Sequence, residues 1–174
     1  MKTNTTDLAS MRKVYASCFV ALAEVYDHEL VYMDECSVNE AMVRNYAWSK
    51  VRCPPLILHQ PKLKSMTVIA AVSRRGLLHV QILQDTATSE TVQNFLLELR
   101  DKLASIHNCI VALTNPFVIL DNAPPHKAYA TRDEFKRLGF RALSLPPYTP
   151  SFNPAEQFFR ALKEKVRVDL AQRR

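Results

Sequence analysis

Three acidic residues of this chain have the type and placement that metal-dependent chemistry requires. Asp34 and Asp121 each follow a short apolar run, and Glu156 lies just after a Pro-rich segment. Carboxylates that converge from separate elements bind Mg²⁺ and Mn²⁺, which prefer oxygen ligands. Two such ions about 3.5–4 Å apart stabilise the attacking and leaving oxygens of a displacement at phosphorus. The pattern therefore predicts a phosphoryl-transfer site that acts on nucleic acid.

Two of these acids also have a structural interpretation. Asp34 fits an ordinary turn former at the end of a strand, with the neighbouring Glu35 as the functional acid. Because alternate residues of a strand point to opposite faces, only one of the two can face the site. Asp121 lies three residues before Pro124-Pro125, and an aspartate at such a position often opens a turn by accepting a backbone hydrogen bond. The buried strand end that Asp121 terminates nevertheless favours a functional role for it.

Glu156 has the strongest structural alternative. Asn153, Pro154 and Glu156 occupy the N-cap, N1 and N3 positions of a predicted helix, which is the pattern of a capping box. In that arrangement the glutamate accepts a hydrogen bond from the backbone N–H of the N-cap residue. Spacing alone therefore explains Glu156 by helix capping at least as well as by catalysis.

Apolar periodicity predicts the elements that position these acids. Helices are predicted over residues 8–27, 89–105, 127–138 and 154–170, and strands over residues 30–33, 66–72, 77–83, 117–120 and 141–145. Gly139 is the predicted stop of the third helix, and residues 106–116 fit either a helix end or a strand. This order predicts an α/β domain with a mixed five-stranded sheet flanked by helices. Asp34 and Asp121 would then lie at strand carboxyl ends, where such sheets bind ligands.

Charge and cysteine usage favour an intracellular protein with a basic surface. The net charge is +6, and residues 121–174 hold 11 Lys and Arg against 6 Asp and Glu. A basic surface suits a phosphate backbone, although a solvated charged surface is the alternative. No apolar run approaches the roughly 20 residues that span a bilayer. No C-x-x-C pair occurs, so we expect no zinc ribbon and reduced thiols at all four cysteines. These are Cys18, Cys36, Cys53 and Cys109.

The phrases around the three acids resemble those of the DDE catalytic domain of mariner-type transposases and their bacterial insertion-sequence relatives. Residues 31–37 read Val-Tyr-Met-Asp-Glu-Cys-Ser, and residues 118–126 read Val-Ile-Leu-Asp-Asn-Ala-Pro-Pro-His. Residues 145–156 read Leu-Pro-Pro-Tyr-Thr-Pro-Ser-Phe-Asn-Pro-Ala-Glu. The first phrase is short, whereas the second and third are specific. The 34 residues between Asp121 and Glu156 are the spacing expected for the Asp-Asp-Glu branch of the family.

The resemblance covers roughly residues 10–170 and implies a ribonuclease-H-like, retroviral-integrase-like fold. It implies that Asp34, Asp121 and Glu156 are catalytic and hold two Mg²⁺ or Mn²⁺ ions. The implied reaction is hydrolysis of phosphodiester bonds at transposon ends, followed by joining of 3′-hydroxyls to target DNA. Family members act as dimers or larger assemblies, which makes a homodimer a candidate assembly. The expected location is the nucleus in a eukaryote, or the cytoplasm and nucleoid in a bacterium, with no membrane partner.

The expected organisation is an N-terminal helix within residues 1–28 that leads into a DDE catalytic domain over residues 29–174. Family members carry helix-turn-helix modules ahead of this domain, and none precedes the first helix here. The chain is therefore interpreted as a fragment, a split gene product, or a decayed or domesticated copy. The competing function is a transposase-derived DNA-binding module without activity. A metal-dependent phosphatase or a nuclease of RNA–DNA hybrids is less favoured, because the third phrase has the transposase form.

Seven further residues are candidate DNA contacts, and most have a structural alternative. His126 would face the scissile phosphate or orient a water, or else make a structural hydrogen bond. Tyr148 would stack on a base or pack the Pro-rich loop against the core. The final helix carries Arg160, Lys163 and Arg167 on one face, and this face suits contact with either a DNA backbone or solvent. The seven are Asn122, His126, Lys127, Tyr148, Arg160, Lys163 and Arg167.

Overall fold

The computed structural model describes residues 5–26, 30–39, 48–53, 65–106 and 115–172. The predicted order of helices and strands is confirmed within these ranges. The predictions for residues 107–114, including Cys109, and for the prolines between residues 54 and 64 lie outside them. The helices are α1 (Thr5–Tyr26), α2 (Ser89–Ile106), α3 (Pro124–Lys127), α4 (Tyr129–Arg137) and α5 (Ala155–Gln172). The strands are β1 (Leu30–Asn39), β2 (Ser65–Ser73), β3 (Gly76–Leu83), β4 (Phe117–Leu120) and β5 (Arg141–Ser144).

The strands form one mixed sheet in the order β3-β2-β1-β4-β5. β1, β2 and β3 are joined in antiparallel pairs, whereas β4 pairs in parallel with both β1 and β5. Helices cover both faces of this sheet, so the predicted mixed five-stranded architecture is confirmed. None of the helices in the described ranges is both long and apolar enough to cross a bilayer.

β1 is longer than predicted, and Asp34 lies inside it rather than at its end. The strand continues to Asn39 because its second half pairs with β2, for example at Asp34↔Ala70 and Cys36↔Val68. The pairing with β4 stops earlier, at Tyr32↔Ile119. The polar run Asp-Glu-Cys-Ser conceals this continuation from apolar periodicity. The expectation that Asp34 ends its strand is therefore wrong, although β4 does stop pairing near it.

The two faces of β1 are covered by different helices. Val31 and Met33 pack with Phe95 of α2 on one face. Cys36 and Val38 pack on the other face, in a cluster that contains Phe159 of α5. Since side chains alternate along a strand, Asp34 lies on the face of β1 that α5 covers, and Glu35 lies on the face that α2 covers.

The predicted helix over residues 127–138 corresponds to α4, and the short helix α3 precedes it as an element that was not predicted. Ala128 has the extended ψ angle of 141°, which separates α3 from α4. α4 ends before Gly139, whose positive φ of 73° is the conformation that glycine adopts most readily. The backbone N–H of Phe140 then donates to the carbonyl of Phe135 at 2.8 Å. The predicted helix and its stop at Gly139 are thus confirmed, and α3 is an additional short helix ahead of it.

Candidate metal and catalytic site

One open pocket beyond the carboxyl ends of β4 and β5 is lined by all three predicted acids, Asp34, Asp121 and Glu156. Its volume is about 560 Å³, within the range that holds small-molecule ligands, so it has room for more than one hydrated ion. The Pro-rich segment from Leu145 to Pro150 forms a further part of the wall. The sheet and α5 therefore bring the carboxylates of three distant segments to one place.

The parallel pairing of β1 with β4 explains why Asp34 and Asp121 converge. Tyr32 is the partner of Ile119, and the same register carried two residues further aligns Asp34 with Asp121. β5 extends this edge, because the backbone N–H of Leu145 donates to the carbonyl of Leu120 at 2.9 Å. The loops after β4 and β5 therefore lie side by side around the two aspartates.

Asn153 connects Asp34 to the start of α5. Its Nδ2 donates to Asp34 Oδ2 at 3.2 Å, and its Oδ1 accepts from the backbone N–H of Ala155 at 3.1 Å. Asn153 is 2% exposed, so both contacts are shielded from water. The sequence identified Asn153 as a helix cap but gave no sign of its contact with Asp34. This contact fixes the distance between the strand and the helix that carries Glu156.

The capping-box explanation of Glu156 is wrong. The backbone N–H of Asn153 donates to the carbonyl of Pro150 at 2.9 Å, so it is not available to Glu156. Glu156 is exposed at the first turn of α5, and among the described residues its carboxylate has no hydrogen-bond partner. The side chain is therefore free to bind a ligand in the pocket.

Replacement of Asn153 by Ala is expected to lower the free energy of unfolding by about 1–2 kcal/mol, because a buried cap and a contact with Asp34 are both lost. The exposed Asn94 of α2 provides a matched control, and its replacement by Ala should change stability by less than about 0.5 kcal/mol. Urea denaturation in the presence of EDTA measures both. Equal stability of the two variants would contradict the role assigned to Asn153.

Asp121 is held through one of its two carboxylate oxygens. Oδ1 accepts from the backbone N–H of Ala123 at 2.9 Å and from Nδ1 of His126 at 2.8 Å. The other ring nitrogen of His126, Nε2, lies 2.7 Å from Oε1 of Glu35. His126 is buried, and both of its nitrogens are engaged by carboxylates. His126 therefore makes the structural hydrogen bonds that the sequence offered as the alternative to a DNA contact.

Burial and charge set the protonation of these groups. The pKa of Asp34 is raised to about 7, mainly by burial and in smaller part by the nearby charges of Asp121, Glu35 and Glu156, against the hydrogen bond from the backbone N–H of Glu35, which lowers it. The hydrogen bond from His126 is the main reason that the pKa of Asp121 is lowered. Burial lowers the pKa of His126, but the hydrogen bonds to Asp121 and Glu35 outweigh it and raise that pKa to about 10. His126 is therefore a cation that donates from both nitrogens, and Asp34 is the acid that most needs a compensating positive charge.

Three of the predicted DNA contacts lie at the pocket. Lys127 and Tyr148 are exposed on its wall, and Tyr148 has a positive φ of 56° that a non-glycine residue rarely adopts. Arg12 of α1 holds this turn by donating to the Tyr148 carbonyl at 3.0 Å. Asn122 instead donates from Nδ2 to the carbonyl of Leu145 at 2.6 Å, which joins the two loops.

The basic residues of α5 differ in how they are placed. Helical spacing puts Arg160, Lys163 and Arg167 on the same face as Glu156. Arg160 is exposed, whereas Lys163 is half-buried and lies near enough to the Cys36 thiol of β1 to oppose the rise that burial causes in its pKa. Arg167 pairs with Glu164 at 3.4 Å. The face therefore continues from the pocket along the helix, but only part of it is directed to solvent.

A second group of potential ligands overlaps this site. Atoms of Glu35, Asp121 and His126 lie within 4.8 Å of one another. The two nitrogens of an imidazole point in different directions, and here each one bonds a different carboxylate. A cation in this group would have to displace a ring proton. The open pocket with its three carboxylates is therefore the better site for a hard divalent cation.

Comparison with known proteins gives one family and one fold. The model of the family described as DDE superfamily endonuclease matches residues 29–173. The chain is 34% identical over 103 residues to histone-lysine N-methyltransferase SETMAR of Homo sapiens, a match that covers 58% of this chain and 15% of that protein.

Solved structures of the Mos1 mariner transposase have the same fold. The paired-end complex with Mn superposes with a TM-score of 0.78 at 17% identity, over 95% of this chain and 51% of that chain. The isolated Mos1 catalytic domain gives a TM-score of 0.71 at 17% identity, over 95% of this chain and 74% of that one. The predicted ribonuclease-H-like fold is confirmed, and this chain spans about half the length of the transposase in its complexes.

Proposed function

The chain belongs to the DDE superfamily endonucleases, and we propose that it is a transposase catalytic core that hydrolyses DNA at transposon ends and joins 3′-hydroxyls to target DNA. The observation that carries this proposal is the convergence of Asp34, Asp121 and Glu156 on one open pocket. The Mos1 transposase with the same fold forms a paired-end complex with a transposon end and a strand transfer complex, and this supports DNA as the partner.

The same three carboxylates are proposed to hold two Mg²⁺ or Mn²⁺ ions. They offer only oxygen atoms, which suits these hard cations, and Mos1 structures contain Mn or Mg. The raised pKa of Asp34 fits such a site, because a nearby cation would favour its ionised form. When bound, the ions would activate the attacking hydroxyl or water and stabilise charge on the oxygens at phosphorus.

The residues around the pocket are proposed to orient the DNA. Lys127 lies close enough to lower the pKa of Asp121, so it can also attract a phosphate beside that carboxylate. The exposed ring of Tyr148, held on its strained turn, is placed to stack on a base. The basic face of α5 continues from Glu156 through Arg160, Lys163 and Arg167. The sugar-phosphate backbone of the bound DNA would follow this face.

Divalent cations are expected to stabilise the folded chain. At a concentration of Mn²⁺ about 100 times its dissociation constant, the free energy of unfolding should rise by about 2.7 kcal/mol, because the unfolded chain lacks the site. EDTA should abolish the effect, and so should Asp121→Asn, whose side chain has lost its charge. Thermal unfolding with and without Mn²⁺ measures it, and an equal rise in Asp121→Asn would place the ion elsewhere.

The enzymatic proposal is tested by nicking of supercoiled DNA and of DNA with transposon-end sequences in Mn²⁺. A purified parent chain that binds DNA in a salt-dependent way but cleaves none of these substrates would favour the DNA-binding module without activity. Unchanged DNA binding in the triple variant Asp34→Asn, Asp121→Asn, Glu156→Gln would strengthen that conclusion. The homodimer and the intracellular location are part of the same proposal, and sedimentation with DNA ends tests the former.

A further inference from the structure

Glu35, His126 and Asp121 form a hydrogen-bonded chain that crosses from one face of the sheet to the pocket. Glu35 projects from the face of β1 opposite to Asp34, and its side chain is 15% exposed. The His126 side chain is 0% exposed and lies between the other two, at 2.7 Å from Glu35 and 2.8 Å from Asp121. Only Asp121, at 49% exposed, reaches solvent in the pocket.

These hydrogen bonds distinguish the two oxygens of the Asp121 carboxylate. Oδ1 accepts two hydrogen bonds, one from His126 Nδ1 and one from the backbone N–H of Ala123. Among the described residues, Oδ2 accepts none. Two donors to the same oxygen fix the rotation of the carboxylate about its Cβ–Cγ bond. The oxygen that remains free is then the one available to a ligand.

His126 makes these contacts with little freedom to move. It belongs to the short helix α3, which begins three residues after Asp121. The segment is anchored from α4, where the buried Thr131 hydroxyl donates to the carbonyl of Pro125 at 2.8 Å. Glu35 is in turn fixed by its place in the middle of β1, opposite Ile69 of β2. The imidazole is therefore held between a rigid strand and a rigid turn.

We propose that Glu35 and His126 are positioning residues that orient the Asp121 carboxylate so that Oδ2 faces the metal pocket. Glu35 holds the ring of His126, and His126 holds Oδ1 of Asp121. Partners of this kind, which hydrogen bond a ligand carboxylate, commonly change metal affinity or activity about 10–100-fold when they are removed. The inference rests on the proposed function, since it assigns these two residues to the same metal site.

The test measures Mn²⁺ affinity, by electron paramagnetic resonance of the free ion, in paired variants of each residue. His126→Leu removes both hydrogen bonds, and Glu35→Ala removes the support of the ring. Each is expected to weaken Mn²⁺ binding about 10–100-fold. His126→Asn retains a donor near the position of Nδ1, and Glu35→Gln retains an acceptor. His126→Asn should bind Mn²⁺ more tightly than His126→Leu, and Glu35→Gln more tightly than Glu35→Ala. The affinity of Glu35→Gln should lie within about threefold of that of the parent.

His79→Leu is the matched control, because it removes a hydrogen bond between a histidine and a carboxylate, that of His79 with Glu98 at 2.8 Å, at residues that do not line the pocket. It should leave the Mn²⁺ affinity of the folded chain unchanged. Circular dichroism of every variant ensures that only folded protein is compared. A purely structural role for the hydrogen bonds of Glu35 and His126 predicts that Glu35→Ala and His126→Leu bind Mn²⁺ as tightly as His79→Leu does.

The outcomes separate this inference from the proposed function. Parent-like Mn²⁺ affinity in both Glu35→Ala and His126→Leu, alongside a parent that binds Mn²⁺, would overturn the positioning role alone. A parent chain that binds no Mn²⁺ would overturn the metal site and the positioning role together. Loss of affinity that Glu35→Gln and His126→Asn partly restore would support the proposal.

Discussion

Replacement of Asp121 by Asn is expected to slow DNA cleavage about a thousandfold or more, because the metal site supplies several kcal/mol of transition-state stabilisation. The substitution is nearly isosteric, and its Oδ1 can still accept from Ala123 and His126. Its amide group would then face the pocket in place of the free carboxylate oxygen. The fold should survive while the cation is lost. Single-turnover cleavage in saturating Mn²⁺ measures the effect.

Asp133→Asn is the matched control for this prediction. Asp133 lies on α4, its side chain is 76% exposed, and its ion pair with Lys136 spans 3.8 Å. Exposed pairs of this kind contribute little to stability. The control should therefore cleave DNA at the rate of the parent. An Asp121→Asn variant that retains more than about a tenth of the parent rate, under conditions where Asp133→Asn is unaffected, would contradict the role of Asp121.

Replacement of Glu156 by Gln is expected to reduce cleavage about a hundredfold or more, while stability changes by less than about 0.5 kcal/mol. The two effects separate because the Glu156 carboxylate caps no backbone group, since the N–H of Asn153 already bonds Pro150. Glu164→Gln, farther along α5, is the control for loss of an exposed negative charge. Cleavage rates and urea denaturation are measured on the same preparations.

The opposite pattern would restore helix capping as the explanation of Glu156. In that case Glu156→Ala, which removes the acceptor that Gln would retain, would lose stability as Asn153→Ala does, and Glu156→Gln would cleave DNA like the parent. The Glu156→Asp variant adds a finer comparison, because it keeps the charge but moves it back by one methylene. We expect its cleavage rate to lie between those of Glu156→Gln and the parent.

The sequence predicted the order of elements because the apolar runs of β2, β3 and β4 and the amphipathic face of α2 are strong local signals. It failed where tertiary contacts decide the structure. The second half of β1 is polar in sequence and becomes a strand because β2 pairs with it. Helix α3 is separated from α4 by the extended backbone at Ala128, which no local pattern marked. Local periodicity cannot register either effect.

The three acids that line the pocket were predictable from the sequence, whereas the residues that hold them in place were not. The phrases around Asp34, Asp121 and Glu156 identified the three acids, but Asn153 and Glu35 contact residues 119 and 91 positions away. Strand alternation indicated that only one of Asp34 and Glu35 faces the site. That inference holds for direct exposure to the pocket. It missed Glu35 because a buried histidine on another element connects it to Asp121, and such contacts depend on the whole fold.

The proposed metal site is tested most directly by a crystal structure of the chain soaked in Mn²⁺, with the ions located by anomalous scattering. The prediction is two peaks about 3.5–4 Å apart in the open pocket, within about 2.0–2.3 Å of oxygens of Asp34, Asp121 and Glu156. Asp121 should bind through Oδ2 while His126 keeps its hydrogen bond to Oδ1. A peak bound by Glu35 and His126, or an empty pocket at saturating Mn²⁺, would contradict the assignment of the metal site to the three carboxylates.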